Sequence, residues 1–200
     1  IIRAVVLSAR TVDVAGEIAN GDITNFLLKP INYFKYWFTR DISSKVLNLG
    51  FAAIEAGILF FVLKPPFFLQ TNPGILSAFV VSLVIAVLLF FTMLFLVNLV
   101  AFWIPTAGWA AQFLIIVIFT EYLSGGIFPI DILPEAIQKI IYATPFPYLL
   151  FFPLQIYLGK LSVSAIVRGM GVSLFWLVIL GFSVNYVWHK GLERYSAEGR

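Results

Sequence analysis

The 200-residue chain contains no cysteine, a single histidine and few charged residues, which make up 12% of the sequence. Without cysteine there is no disulfide framework, no thiolate metal site and no cysteine nucleophile. The chain also lacks a GxxxxGK[ST] phosphate loop and an HExxH zinc motif. The lone histidine, His189, lies at the end of an apolar run, where we interpret it as structural. We therefore expect no catalytic residue, no metal and no cofactor, and we predict that the chain is not an enzyme.

Hydrophobic residues are abundant and make up 61% of the chain, whereas soluble domains are about 45–50% apolar. The longest apolar stretch, residues 75–104, contains no charged residue. A helix of that length is about 45 Å long, and about 20 apolar residues are enough to cross a bilayer. The sequence therefore predicts an all-α polytopic membrane protein, with residues 1–200 forming one membrane domain. We attribute the small excess of basic residues to membrane topology and expect no nucleic-acid partner.

Proline, glycine and charged residues divide the apolar sequence into four predicted transmembrane helices. The first includes an aromatic and basic segment, residues 32–45, of the kind that settles at the lipid headgroups. Nucleic-acid binding is the alternative for that segment, but its position directly before an apolar run favours the membrane interface. The predicted spans are residues 32–63, 75–104, 109–124 and 165–188.

A proline-rich segment, residues 128–159, separates the third predicted span from the fourth. Its five prolines leave pieces that are too short to cross a bilayer, and Pro134-Glu135 suits the start of a helix running to about Tyr142. Broken backbone at membrane depth must be buried in protein or line a watery cavity. We interpret the segment as a re-entrant helical hairpin, with a plain interfacial loop as the alternative.

The distribution of basic residues predicts the sidedness of the membrane domain. Nine of the 13 basic residues lie in the N-terminal region and the C-terminal tail, and four lie in the remaining segments. The positive-inside rule places the nine in the cytoplasm. Four spans return the chain to its starting side, so the hairpin segment is predicted to be extracytoplasmic. The nine are Arg3, Arg10, Lys29, Lys35, Arg40, Lys45, Lys190, Arg194 and Arg200.

Two acidic residues, Glu55 and Glu121, lie within the apolar parts of the predicted spans. A carboxylate in the bilayer costs a few kcal/mol on insertion scales, so such a residue is by default a candidate for a functional site. Each acid could line a substrate pathway, or it could be protonated and hydrogen-bonded between helices. We include Asn98, a polar residue of the long apolar stretch, as a further pathway candidate.

The order of these features resembles the membrane subunit of ABC type-2 transporters, the ABC-2 family permeases. An elbow with Asn20-Gly21-Asp22-Ile23 and Leu28-Lys29-Pro30 precedes three spans, a proline-rich segment and a last span with a basic tail. The most specific part is the G-G-x-F-P-x-x-x-L-P signature before the last span. Its defining residues are Gly125, Gly126, Phe128, Pro129 and Pro134.

The resemblance implies a permease subunit of an ATP-driven exporter, which forms the substrate pathway and couples to a separate ABC ATPase (nucleotide-binding) subunit. Family members have six spans, so we expect this chain to be N-terminally truncated. Residues 1–30 would then be the end of a preceding span followed by the cytoplasmic coupling elbow. The residues implied to contact the ATPase are Asp13, Glu17, Asn20, Gly21, Asp22 and Thr24.

The resemblance further implies a second permease subunit, as a homo- or heterodimer, in the lipid of a bacterial or archaeal plasma (inner) membrane. One alternative is a fragment of a secondary transporter or channel, for which an internal repeat and more intramembrane ionisable residues would be expected. Another is an intramembrane enzyme acting on lipid-linked substrates, against which the missing metal and nucleophile motifs count. A membrane scaffold or assembly factor is a further alternative.

Overall fold

The fold is described from a computed structural model, and the structure describes residues 2–8, 13–64 and 68–195, apart from the side chains of 107–109, 116 and 117. All regular secondary structure in this part of the chain is helical, which confirms the predicted all-α class. The α-helices are α1 Ile2–Val6, α2 Asp13–Asn20, α3 Thr24–Leu27, α4 Tyr33–Leu63, α5 Pro73–Asn98, α6 Gly108–Phe113, α7 Glu121–Leu123, α8 Glu135–Tyr142, α9 Phe151–Tyr157 and α10 Val163–Arg194.

Three helices among the described residues are long and apolar enough to cross a membrane, which confirms a polytopic membrane protein. They are α4, α10, and α5 together with the 3₁₀ turn Leu99–Phe102 that extends it. Helix α4 is continuous from Tyr33. The aromatic and basic residues of its first turns are suited to the lipid headgroups, and they are also compatible with a helix. The side chains of Asn32 and Asn72 cap the first turns of α4 and α5, where backbone N–H groups have no helical partner.

The predicted third span, residues 109–124, is shorter than the other three. It consists of α6, a π-helical segment Leu114–Thr120 and α7. Its apolar helical part, Ala110–Leu123, would be only about 21 Å long at the rise of an ideal α-helix, against a hydrocarbon core of about 30 Å. Gly125, which has a left-handed backbone φ of 78°, follows its last turn. That this segment crosses the membrane stays a prediction.

Helix α5 is the central element of the protein. In its most apolar stretch 61% of the residues are buried, against 6% in α4 and 11% in α10. In its middle turns, α5 packs on the hairpin segment through a core that includes buried Leu89, Leu149 and Ile156. Near its end, α5 contributes Phe91 and Phe95 to a second core that includes α2 and α4. The faces of α4 and α10 that point away from α5 are exposed in this chain, as expected of helices that meet lipid or another subunit.

Hydrogen bonds assign the connecting segments to two opposite ends of α5. At its first end, Gln70 Nε2 donates to Tyr157 O over 2.9 Å, and Tyr157 Oη donates to Phe68 O over 3.2 Å. At its other end, Tyr195 Oη donates to Gly21 O over 2.9 Å and lies 3.0 Å from Thr24 Oγ1. The N-terminal elbow and the start of the C-terminal tail therefore lie together. Which side of a membrane that end faces stays a prediction.

The hairpin segment, residues 128–159, folds as two short helices, α8 and α9, joined by the 3₁₀ turn Phe146–Tyr148. Pro134 is the N-cap residue of α8, which ends at Tyr142, as predicted. At the base of the segment, Phe151 N–H donates to Ser124 O over 3.0 Å. Phe152 and Ile156 of α9 are buried against the rest of the protein. Helix α9 is thus packed on the rest of the protein, and the re-entry of this segment into the bilayer stays a prediction.

Candidate coupling elbow and pathway residues

The elbow, residues 13–30, is amphipathic. Val14, Ala15 and Ile18 of α2 are buried together with Ile23, in a core that also contains Trp37 of α4 and Leu99 beyond α5. Gly21 ends α2 with a backbone φ of 85°, a left-handed conformation that favours glycine. The apolar face of the elbow is therefore seated on the ends of the long helices.

The opposite face of the elbow carries most of the residues predicted to contact an ATPase. Asp13, Asn20, Asp22 and Thr24 are exposed. Thr24 also lies within hydrogen-bond distance of Tyr195, so one edge of this surface is fixed by the end of α10. The four side chains form a polar surface of the kind that a soluble partner contacts.

Glu17 and Gly21 make internal contacts in addition to belonging to the predicted set. Glu17 Oε2 accepts hydrogen bonds from Tyr33 Oη over 2.6 Å and from Trp37 Nε1 over 3.3 Å. The Gly21 carbonyl oxygen accepts from Tyr195. Glu17 thus connects the elbow to α4, and Gly21 connects it to the end of α10. These partners are distant in sequence, which is why local pattern did not reveal them.

Asn98, predicted as a pathway residue, is fully buried at 0% exposure where α5 meets the elbow. Its Nδ2 group donates to Leu94 O over 2.7 Å, and its Oδ1 accepts from Ala15 N–H over 3.2 Å. Gln112 Nε2 of α6 donates to the same Oδ1 atom. Asn98 therefore joins α2, α5 and α6, and its place in a substrate pathway stays a prediction.

Glu121 forms an ion pair with Arg3 of α1. A Cβ atom at Gly126 would lie 3.2 Å from Glu121 Oε2, so the glycine leaves room for the carboxylate. The pair places Arg3 beside the third apolar helix rather than with the cytoplasmic charges to which it was assigned. With Arg3 counted in the other group, the positive-inside comparison becomes eight residues against five, and it favours the same orientation.

Glu55 lies on the exposed face of α4, among exposed apolar side chains such as Phe51, Ile54 and Ile58. No part of the described chain covers this face. An ionised carboxylate facing hydrocarbon is unfavourable, so the face with Glu55 is suited to a polar or protein environment.

The signature residues form the corner between the third apolar helix and the hairpin segment. Gly125 has a φ of 78°, and a Cβ atom there would lie 2.9 Å from Phe151 Cδ2. Pro129 precedes the 3₁₀ turn Ile130–Ile132, and the half-buried Phe128 ring packs edge-on to Tyr122 at 6.3 Å between centroids. The signature thus fixes a tight chain reversal.

A buried ion pair in α4 was missed by the sequence analysis. Lys45 Nζ lies 3.3 Å from Asp41 Oδ2, and the two side chains are 4% and 0% exposed. Lys45 also donates to Val6 O over 3.1 Å and to Ser8 O, at the end of α1. The sequence does contain a pattern that indicates this pair, because an acidic and a basic residue four positions apart lie on the same face of a helix. The pair fixes the chain where it leaves α1 for the elbow.

These features define a helical integral membrane protein with a polar elbow at one end of its central helix and a proline-rich cap at the other. Residues 2–199 match the family model described as ABC-2 family transporter protein. The chain therefore belongs to this family, which confirms the resemblance and supports a permease subunit of an ABC transporter. No curated protein and no solved structure matches the chain.

Proposed function

We propose that the chain is the permease subunit of an ATP-driven exporter, and that its elbow receives the movement of a separate ATPase subunit. The observation that carries this proposal is the two-sided elbow. Its polar face, with Asp13, Asn20 and Asp22, is open, whereas its apolar face is seated on the ends of the long helices. A partner that binds the polar face can therefore displace the helices beneath it.

The elbow is connected to three helices by separate contacts. Glu17 bonds Tyr33 and Trp37 of α4, Asn98 of α5 accepts from the elbow backbone, and Tyr195 contacts the elbow from the end of α10. An ATPase that changes shape on binding ATP has different contacts with the elbow in its two states. That difference in binding free energy shifts the balance between two arrangements of the permease.

Cross-linking with single cysteines tests this contact, because the chain has no native cysteine to remove. Asn20→Cys, on the open face of the elbow, is expected to cross-link to a co-expressed ABC ATPase through a short thiol–amine reagent. Ser164→Cys is the matched control, since it is equally exposed but lies at the first turn of α10, remote from the elbow. Equal cross-linking of the two variants, or of Ser164→Cys alone, would exclude the elbow as the docking site.

A second permease subunit is also part of the proposal. The exposed face of α4 with Glu55 supports it, because a protein surface can cover both the carboxylate and the apolar side chains around it. Native mass spectrometry of the purified transporter is expected to show two permease chains and two ATPase chains. A single permease chain in a transport-competent particle would contradict this arrangement.

Glu55 and Glu121 are proposed to contribute to the pathway. Glu55→Gln and Glu121→Gln are each expected to change the transport rate in proteoliposomes, because each removes a carboxylate from an apolar environment. Wild-type transport by both amide variants, at normal expression, would remove the two residues from the proposed pathway. Glu135→Gln, which removes an exposed carboxylate at the start of α8, is the control and should leave the transport rate unchanged.

A further inference from the structure

A groove of about 660 Å³ lies between the elbow, the start of α4 and the second half of α10. Its floor is apolar and aromatic, and includes the buried side chains of Tyr33, Phe95 and Val184. Phe34 and Trp188 extend the aromatic lining. The groove opens beside the place where the elbow packs on the long helices. The proposed contacts of the elbow with an ATPase therefore do not require the groove.

Basic and neutral polar groups lie at the edge of the groove, and no acidic residue lines it within the described chain. Lys29 is exposed, with its ammonium 5.9 Å from the centroid of the Phe26 ring. His189 is also exposed, and its Nδ1–H donates to Asn185 O over 2.7 Å. Nε2 is therefore the atom that can reach a ligand, and it donates to an anion as the N–H group of the imidazolium form. This edge is complementary to an anion such as a phosphate group.

The groove continues along α10 towards the middle of the protein, where Gly181 lines it. A Cβ atom at Gly181 would meet no other atom within 4 Å, so the space above this residue is open. From Gly181 to His189 the helix advances about 12 Å. That distance is comparable to the hydrocarbon thickness of one leaflet, about 15 Å.

We propose that this groove binds an anionic phospholipid from the leaflet on the elbow side. The phosphate lies at Lys29 and His189, and one acyl chain follows the aromatic floor to Gly181. A lipid fits better than a soluble anion, because exposed Leu27, Ile31 and Phe34 surround the site, and a soluble anion would leave these apolar side chains uncovered. The lipid would contact both the elbow and α10, and it would therefore stabilise the packing of the elbow on the long helices.

Lipid binding to the purified full chain tests this inference without any ATPase, so its failure is separate from that of the proposed function. The chain in mild detergent is titrated with dioleoyl phosphatidylglycerol or dioleoyl phosphatidylcholine, and bound lipid is counted by native mass spectrometry. Phosphatidylglycerol is expected to bind at least about tenfold more tightly than phosphatidylcholine. Soluble glycerol 3-phosphate at equal concentration is expected not to displace it.

Gly181→Leu fills the acyl end of the groove and is expected to weaken phosphatidylglycerol binding by at least about tenfold. Leucine favours a helix over glycine, so the melting temperature should not fall. Gly171→Leu is the matched control, since Gly171 also has open space, on the same helix but outside the groove, and its binding should equal that of the wild type.

The combined variant Lys29→Gln and His189→Gln tests the headgroup end with two exposed residues. It is expected to lower the affinity for phosphatidylglycerol to that for phosphatidylcholine and to leave the latter unchanged. Three results would overturn the inference: wild-type binding by Gly181→Leu, wild-type lipid preference in the combined variant, or displacement by glycerol 3-phosphate, which indicates a simple anion site.

Discussion

Lys45 illustrates how one side chain joins two helices that are distant in sequence. Its ammonium group lies between Asp41 on its own helix and two carbonyl oxygens at the end of α1. A buried cation of this kind is stable because its partners compensate for the lost hydration, and the loss of one member removes an interaction from each of the others. Its contribution is therefore best measured by removing it.

Lys45→Met is expected to lower the free energy of unfolding by about 3 kcal/mol, since it removes a buried ion pair and two hydrogen bonds to carbonyl oxygens. Unfolding in a graded series of denaturing detergent measures this change. Lys35→Met, at an exposed position on the same helix, is the control and should change stability little. Adding Asp41→Leu to Lys45→Met should recover part of the loss. Equal stability of Lys45→Met and wild type would contradict the proposed role of the pair.

The side chain of Asn98 is a second example of a single residue that joins several helices. Asn98→Ala is expected to destabilise the protein by about 1–3 kcal/mol, because the Ala15 N–H group and the Gln112 side chain lose their shared acceptor. Faster hydrogen–deuterium exchange in residues 13–20 should accompany the loss. Asn25→Ala, on the exposed surface of α3, is the control and should leave exchange unchanged. Unaltered exchange in the Asn98 variant would show that the elbow is held by its apolar face alone.

Single residues also show where prediction from sequence reached its limit. The exposure of Asp13, Asn20 and Asp22 follows from the amphipathic pattern, which a local window contains. The bonds of Glu17 to α4 and the pairing of Glu121 with Arg3 do not follow from it, because these partners are brought together only by tertiary packing.

At the scale of helices, start and stop signals were the most predictive part of the sequence. Pro134 directly precedes α8 and Gly21 follows the end of α2, because proline and glycine geometry act within a few residues. Helix α5 begins at Pro73, two residues before the predicted start. The packing of one helix on another was harder to predict from the sequence. Gly169 and Gly171 are equivalent in sequence terms, yet a Cβ atom would overlap the Phe152 ring at Gly169 and meet nothing at Gly171.

This difference gives a prediction about the contact between α9 and α10. Gly169→Ala is expected to cost about 1–3 kcal/mol, because the methyl group displaces Phe152 from its site against the helix. Gly171→Ala should be neutral or stabilise by about 0.5–1 kcal/mol, since alanine favours a helix over glycine. Melting temperatures in the same detergent measure both effects. A Gly169→Ala protein as stable as Gly171→Ala would mean that Phe152 rearranges without cost.

For the whole molecule, the two sets of contacts at opposite ends of α5 form the basis of the proposed coupling. The elbow and the end of α10 contact each other at one end, and the connector before α5 contacts the hairpin segment at the other. The central helix reaches both sets. A displacement of the elbow can therefore change the packing of α9, because both are in contact with the same rigid element.

The orientation of the protein in the membrane can be tested by labelling single cysteine variants, because the sequence contains no cysteine. Asn20→Cys and Glu193→Cys are expected to react with a membrane-impermeant maleimide only in inside-out vesicles. Thr71→Cys and Ser164→Cys, at the other end of α5, should react only in right-side-out vesicles. All four positions are exposed, so detergent should make all of them reactive and control for access. Labelling of Asn20→Cys and Ser164→Cys from the same side would contradict the orientation, because the chain between them would then cross the membrane an even number of times.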